Sequence, residues 1–472
     1  MNTFSVVYSK EWTEVSRDGR IRFTSLAIVL LLIVAMTGSW LDWSWYDQES
    51  RIGAQNSARQ FSEQTAKHPH SAAHLGIYAW KPAAPLSMLD PGINAQTGMT
   101  FWLEPHVIAP AKLKPEQSLT ALEKATRFSP AEVLRFFAPL LIILVGAALF
   151  AGERETGTLR QTLSIGVSRW QLLKGKAVVT AAAPLFLLGV FVIVGVLGIA
   201  FSSPPFAPSD TAVRLTLLTA GFLLYILMWV ALALGVSALV GSVRMALIVL
   251  VSLWALQTWV IPQAAGNLAR INAPVLAPPA FVSRVMATQK EREAELDTLL
   301  MNAKEKMLVE NHVTKLTNLP FNPDGILWPI HEAFLNSIYD EEIARQRAAF
   351  DRQQRDLLIV SVLAPSLALR DWSMAAAGTD YAHHLHFADV AEAYRRQLVD
   401  YSYDALLSTP YGALYKDVLV SREWFEARPD FDYTPMGVGD GVRSAVPSLL
   451  ILLVWSLAAV GLAGWAVQRL KP

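Results

Sequence analysis

Residues 152–176 read GERETGTLRQTLSIGVSRWQLLKGK, a polar stretch that lies between two long apolar runs. The runs, residues 131–151 and 177–201, are each long enough to cross the roughly 30 Å hydrocarbon layer of a membrane as a helix. The stretch is net basic, and an excess of Lys and Arg in a short loop places that loop in the cytoplasm. Apolar residues recur through it at helical spacing: Leu159, Leu163, Val167, Trp170 and Leu173. The sequence therefore predicts a short amphipathic helix across the cytoplasmic floor of a helix bundle.

The composition of the chain is that of a membrane protein with sizeable parts in water. Its 472 residues are 53% hydrophobic with zero formal net charge, and the mean hydropathy is +0.32. A neutral chain lacks the basic face expected of a nucleic-acid-binding protein, so no nucleic-acid partner is predicted. The absence of cysteine excludes disulfides, thiolate metal sites and cysteine nucleophiles.

The apolar runs predict an all-α bundle of six transmembrane helices with two extracytoplasmic insertions, the first small and mixed α/β, the second mainly helical. The predicted segments are a cytoplasmic amphipathic helix (1–22), the first span (23–41), the first extracytoplasmic domain (42–130), spans two to five with the basic connector 152–176 (131–262), the second extracytoplasmic domain (263–443), and the sixth span with a cytoplasmic tail (444–472). Lys and Arg cluster at the ends that this topology places inside, so both termini are predicted to be cytoplasmic.

Two alternatives concern the N-terminus. Residues 1–22 place Phe4, Tyr8, Trp12 and Val15 on one helical face, which is typical of a helix lying in the membrane interface; the alternative is a frayed cytoplasmic tail. The run 26–36 is also about as long as the apolar part of a secretory signal. An uncleaved span is preferred because the apolar run can be counted over residues 24–41.

The insertions carry weaker secondary-structure patterns. Residues 99–108 have the aromatic residues of a strand, which Pro105 interrupts, and residues 116–127 have a helical pattern. Two apolar helical faces stand out in the second insertion: Leu296, Leu299, Leu300, Ala303 and Met307; and Phe387, Ala391, Tyr394, Leu398, Tyr401 and Ala405. Because both faces need burial, the two helices are expected to pack against each other.

All nine histidines fall in the two insertions. His68, His70 and His74 lie in the first; His383, His384 and His386 precede a helix predicted to begin near Phe387. Imidazole is a common metal ligand, but turn or capping roles are the preferred interpretation at that position. No metal site is assigned, and His383, His384 and His386 remain the candidates.

The sequence of the connector resembles that of type-2 ABC permeases. In that family this segment is the coupling helix, which docks into a separate ATP-binding subunit. The residues that match are Glu153, Arg154, Glu155, Gly157, Thr158, Leu159, Leu163, Ser168, Arg169, Leu172, Gly175 and Lys176. In the family pattern the acid at Glu155 contacts the ATPase or caps the helix. The alternative is an ordinary basic loop of an unrelated membrane protein. Residues 366–398 also resemble a permease family whose extracytoplasmic part is a domain of unknown function.

The resemblance implies a bacterial inner-membrane exporter subunit that is not itself an enzyme. Its expected partners are an ABC ATPase subunit, a second permease copy, the lipid bilayer and a periplasmic protein. No cofactor is expected in this chain; ATP and Mg²⁺ belong to the ATPase. The sequence agrees with this expectation in two ways. The chain has no phosphate-binding G-x-x-x-x-G-K-[ST] pattern with which to bind ATP itself. It also has no charged residue deep in a predicted span, as an ion-coupled carrier would need.

Two other functions stay open. The complex could transmit force to a periplasmic protein without moving a substrate, or the chain could be a membrane scaffold or sensor that needs no ATPase.

Overall fold

The computed structural model describes residues 3–108, 128–201, 204–412 and 417–470. The helix predicted over residues 116–127 lies outside the described residues. Among those described, six helices are long and apolar enough to cross a membrane. This confirms the predicted fold class, a bundle of membrane helices with insertions.

The helices, numbered along the chain, are α1 (Thr3–Arg17), α2 (Gly19–Ser62), α3 (Pro69–Ala73), α4 (Asn94–Thr97), α5 (Pro130–Glu155), α6 (Thr158–Ser164), α7 (Arg169–Ala200), α8 (Pro208–Leu239), α9 (Val243–Ala255), α10 (Ile261–Asn272), α11 (Pro278–Glu291), α12 (Glu293–Glu310), α13 (Asp324–Ser361), α14 (Pro365–Ala377), α15 (Tyr381–Leu407), α16 (Arg422–Glu426), α17 (Val438–Arg443) and α18 (Val446–Gln468). A π-helical turn, Leu256–Val260, joins α9 and α10 into one span. Short 3₁₀ turns cover Pro85–Met88 and Leu316–Asn318.

The first insertion contains a three-stranded antiparallel sheet in the order β1 (Ile77–Trp80), β2 (Thr100–Glu104) and β3 (Val107–Ile108). The single strand predicted over residues 99–108 is therefore two strands of a hairpin. The chain turns at Pro105 and His106: proline has no N–H for the ladder, and His106 has a left-handed backbone (φ 66°).

Helix α2 extends much further than the first predicted span, which ended at residue 41. No proline or helix-ending glycine interrupts it before Ser62, and the turns just beyond residue 41 are held by tertiary contacts. Trp43 donates to the carbonyl of Ala84 at 3.1 Å, and Tyr46 donates to the carbonyl of Lys81. The helix therefore continues out of the predicted span into the first insertion.

The centre of the bundle is the contact between α5 and α8. Ala233 and Ser237 of α8 are fully buried, and the Ser237 hydroxyl donates to the carbonyl of Ala147 at 2.8 Å while accepting from the N–H of Ala151 at 3.0 Å. Small residues permit this close approach of two backbones. In sequence, Ala233, Ser237 and Gly241 recur every four residues, a pattern of small residues that predicts a close helix contact. The first two lie in that contact, whereas the site of a Cβ at Gly241 has no neighbour within 4 Å.

The two insertions share one hydrophobic core, and we call the packed pair the insertion module. The predicted face on α15 is buried, but its partner is not α12, as expected from sequence. Its neighbours come from the first insertion and from the segment after α15: Phe61, Ala72, Ile77, Leu103, Phe425 and Tyr433. The face predicted on α12 lies beside α13 instead, with Met307 buried and Leu299 exposed. The structure thus differs from the division into two separate domains.

Substitutions of Tyr394 test whether the α15 face is buried in this shared core. Tyr394→Asp is expected to lower the free energy of unfolding by about 3 kcal/mol or more, because it places an unpaired charge among buried apolar side chains. Tyr394→Phe removes the hydrogen bond that the hydroxyl donates to the carbonyl of Pro429 (2.9 Å) and the long one that it accepts from Arg428 (3.4 Å), and should cost about 1 kcal/mol. The measurement is thermal unfolding of the full chain in detergent. Equal melting of the two variants would contradict burial of this face.

Candidate functional site

The connector forms a short helix between two glycine turns. Helix α5 ends at Glu155, α6 covers Thr158–Ser164, and α7 begins at Arg169. Gly157 (φ 78°) and Gly166 (φ 81°) have left-handed backbones on either side of α6. A Cβ at Gly157 would meet no atom within 4 Å, so glycine is required there by its backbone conformation and not by crowding.

The predicted apolar stripe of the connector faces the bundle. Leu159 is buried, and Leu163, Val167 and Leu173 pack partly buried against the main core. Leu172 is buried as well, while Trp170 is half-exposed and lies against Gly464 of α18. Exposed residues cover the other side: Thr158, Arg160, Gln161, Ser164 and Ile165. Ile165 is 80% exposed, so the connector presents an apolar tip away from the bundle.

Glu153 belongs to a cluster of four charges between α1, α5 and α7. Lys176 Nζ lies 2.7 Å from Glu11 Oε1 and 3.1 Å from Glu153 Oε1. Lys10 pairs with Glu153 and lies 3.2 Å from Glu11. Burial opposes the charge of Lys10, but the hydrogen bond to Glu153 and the carboxylate of Glu11 raise its pKa above the usual range. Outside these four, the exposed Glu14 lies 3.6 Å from Lys10, so the two cations face three carboxylates in all.

Arg154 and Glu155 hold the turn between α8 and α9. Arg154 Nη2 donates to the carbonyl of Ala238 at 2.7 Å, and Nη1 donates to the carbonyl of Val240. Glu155 Oε1 accepts from the N–H of Val243, the first residue of α9, at 3.1 Å. The cation therefore meets the negative end of one helix dipole and the anion meets the positive end of the next. Glu155 caps α9, not the connector helix itself.

Arg169 joins the connector to the last span. Its Nε and Nη2 donate to the carbonyl of Leu470, just beyond α18, at 3.2 and 3.0 Å. Gly175 lies against α1, where a Cβ would come within 2.7 Å of Val7. Thr158 donates weakly to the carbonyl of Glu153 (3.3 Å), and Ser168 stands at the N-cap of α7 without a side-chain capping bond.

Most residues that sequence reasoning selected therefore meet at one end of the bundle. It missed Val7, Lys10 and Glu11 of α1. The sequence places Glu11 on the polar face of an interfacial helix, yet it is 1% exposed. Its partner Lys176 is far away in the chain, so no local pattern could have identified the pair. A helix is present over Thr3–Arg17 and ends before the predicted residue 22, because Asp18 caps the start of α2; contact of Trp12 with a membrane remains a prediction.

The three candidate metal ligands in the second insertion do not converge. Helix α15 begins at Tyr381, not near Phe387, because Asp380 caps it by accepting from the N–H of His383. His383 Nδ1 lies 2.5 Å from Asp380, and His386 Nε2 lies 2.9 Å from the carbonyl of Thr434. Burial, with the charges of Lys81 and Arg347 nearby, lowers the pKa of His384 to about 3. The cap is Asp380, and the three histidines lie within the first turns of α15, so the turn or capping roles preferred from sequence are not the ones they have.

A cavity of about 460 Å³ lies at the other end of the bundle. Aromatic residues and charged groups line it: Trp43, Trp45, Tyr46, Phe128, Phe222, Asp42, Asp90, Glu132, Arg135 and Arg370. Ser373 donates to Asp90 at 2.5 Å, and burial raises the pKa of that carboxyl against the effect of this bond. Sequence reasoning missed this cavity because its lining comes from five distant segments.

Six apolar spans, a short helix that ties their ends together and a cavity at the opposite end define a membrane transport subunit. Residues 5–321 match the family described as ABC-2 family transporter protein. The chain belongs to that family and is a permease component of an ABC system. Residues 283–434 match a domain of unknown function (DUF3526), as the sequence resemblance implied. No curated protein matches the chain.

Proposed function

We propose that this chain is the membrane permease of a type-2 ABC exporter in the bacterial inner membrane, with both termini in the cytoplasm. A separate ATPase subunit docks on the exposed side of the connector, and a second permease copy completes the complex. ATP and Mg²⁺ are bound by the ATPase. The observation that carries the proposal is the set of contacts from the connector to the ends of the other helices.

The contacts suggest how force at the connector reaches the spans. Three consecutive residues, Glu153, Arg154 and Glu155, bind different elements: the α1–α7 charge cluster, the end of α8 and the start of α9. Arg169 adds the end of α18. Closure of the ATPase pair that displaces α6 therefore displaces the ends of several spans together, and the bundle changes between inward- and outward-open states. The ATPase must bind the two states with different free energy for this coupling to work.

The cavity between α2, α5 and α14 is the proposed place where substrate leaves. The aromatic side chains of the cavity could contact an apolar part of the substrate, and Arg135, Arg370 and Glu132 could bind its polar groups.

Transmission of force is the second candidate, and one contact favours it. Helix α14 of the insertion module packs on α8 and α18, where Trp372 Nε1 donates to the carbonyl of Leu217 at 2.8 Å and Ser448 donates to Asp371 at 2.6 Å. Span movements would therefore move the insertion module. An assay in proteoliposomes distinguishes export from force transmission. If ATP turnover rises when a periplasmic protein is added, but no substrate is moved across the membrane, the result favours force transmission. A scaffold or sensor would need no ATPase at all.

Ile165→Asp tests the docking surface. Because Ile165 is 80% exposed, the change should leave the fold intact while it places a charge in an apolar interface. Co-purification of the ATPase subunit is expected to fall about tenfold or more, at unchanged membrane level and melting temperature. Val309→Asp is the matched control, since Val309 is 66% exposed on the insertion module. Full ATPase recovery with Ile165→Asp would argue against docking on this surface.

A further inference from the structure

Three histidines that are distant in sequence meet at one edge of the insertion module. His70 lies in α3, His74 directly follows α3, and His106 lies in the turn between β2 and β3. One ring nitrogen from each lies within 4.8 Å of the others. The ring centroids are 4.8 Å apart for His70 and His74, 5.3 Å for His74 and His106, and 5.7 Å for His70 and His106.

We propose that His70, His74 and His106 bind one divalent transition-metal ion of the Zn²⁺ class. Imidazole nitrogens suit Zn²⁺, and three such ligands leave a fourth position for water or another ligand. Zn–N bonds of about 2.1 Å place tetrahedral ligands about 3.4 Å apart. The present spacing of up to 4.8 Å exceeds this by about 1.4 Å, so the three side chains must move towards one another when the ion binds.

Glu332 of α13 prepares His106 as a ligand. Its Oε2 lies 2.8 Å from His106 Nδ1, and both its oxygens accept from the His106 backbone N–H at 3.1 and 3.2 Å. The carboxylate is buried and also accepts from Arg395 at 2.7 Å. A carboxylate 2.8 Å from Nδ1 leaves Nε2 as the nitrogen available to a metal, and a carboxylate beside the other ring nitrogen is the usual outer shell of metal-bound histidine.

The backbone of His106 supports the same conclusion. A left-handed residue other than glycine is uncommon, although Asn, Asp and His adopt that conformation more readily than others. His106 (φ 66°) is held there by Glu332. Strained positions of this kind cluster at ligand sites.

His70 has an imidazole nitrogen that needs a partner. Its Nδ1 is buried and makes no hydrogen bond within the part of the chain that the structure describes. Packing on Trp328, with centroids 4.5 Å apart, accounts for burial of the ring but leaves Nδ1 unsatisfied. The capping of α3 is performed by His68, so capping does not explain the three clustered rings. His74 is exposed and gives an ion access from solvent.

The test is zinc binding by the full chain in detergent, purified with a tag that contains no histidine. Equilibrium dialysis with metal analysis should give one Zn²⁺ per chain, and Mg²⁺ should not compete because it prefers oxygen ligands. His106→Asn and His74→Gln should each weaken Zn²⁺ binding about 100-fold or more. Asparagine tolerates the left-handed backbone, and His74 is exposed, so neither change should prevent folding.

His312→Asn is the matched control, because His312 is also left-handed (φ 53°) and exposed in the insertion module. It should bind Zn²⁺ like the unchanged protein. Less than one tightly bound Zn²⁺ per chain, undiminished binding by both ligand variants, or an equal loss in His312→Asn would each overturn the proposal.

Discussion

Replacing Lys176 with methionine is expected to lower the free energy of unfolding by about 3–5 kcal/mol, because the loss of one partner leaves buried charge uncompensated. The Lys176 side chain is 0% exposed and lies between Glu11 and Glu153. Without it, Lys10 alone faces Glu11, Glu153 and the exposed Glu14. Thermal unfolding of the chain in detergent measures the loss, and protease cleavage after α1 should increase as that helix detaches from α7.

Lys174→Met is the control for this effect, since Lys174 is exposed on the same helix and should change stability by less than about 0.5 kcal/mol. The double variant Glu11→Leu with Lys176→Met keeps one balanced pair, Glu153 with Lys10, and should recover most of the loss. If Lys176→Met melts like Lys174→Met, the charge cluster does not hold α1 in place.

The second large effect concerns coupling. Glu155→Lys places a cation at the positive end of α9 and removes the bond to Val243, while Gly157→Val forces a β-branched residue into a left-handed backbone at a cost of about 1–2 kcal/mol. Both variants should insert into the membrane normally and keep Ile165 exposed for docking of the ATPase. Stimulated ATP turnover in lipid should nevertheless fall about tenfold or more, as expected when about 1.4 kcal/mol of coupling is lost.

Conservative changes at the same positions serve as controls. Glu155→Gln retains an oxygen acceptor for the Val243 N–H, and Gly157→Asn tolerates the left-handed backbone, so both should keep most of the turnover. Together with Ile165→Asp, these variants separate docking of the ATPase from transmission of its movement. Unchanged binding and turnover in Glu155→Lys and Gly157→Val would remove the main support for a coupling role.

The parts of the structure that sequence predicts best are those with a local period. Six apolar runs give the six spans, and the spacing of Leu159 and Leu163 gives the short helix of the connector. The buried face of α15 follows from the same argument. The surface against which it packs could not be predicted, because apolar side chains do not specify which apolar partner covers them. Phe61 and Leu103 are chemically as suitable for that packing as the face on α12.

Contacts between distant residues account for what the sequence did not predict. Glu11 looks like a surface residue until Lys176 is placed beside it, and Arg154 binds backbone carbonyls, which every residue has. His106 is far from His70 and His74 in sequence, because β1 and β2 lie between them, and the folding of the sheet brings the three side chains close in space. The nearby triplet His383, His384 and His386 attracted the metal hypothesis because it is compact in sequence, yet its rings contact different neighbours.

The shared core of the insertion module also dictates an order of biosynthesis. Phe61, Ile77 and Leu103 must pack against Phe387 and Phe425, which leave the ribosome after about 280 further residues. At usual synthesis rates that interval is roughly 15–60 s. During it the early half of the core has made its sheet but has nothing to cover it, while four further spans are inserted into the membrane. The module therefore folds late, after five of the six spans have been made, and an exposed apolar sheet must remain unaggregated until α15 arrives.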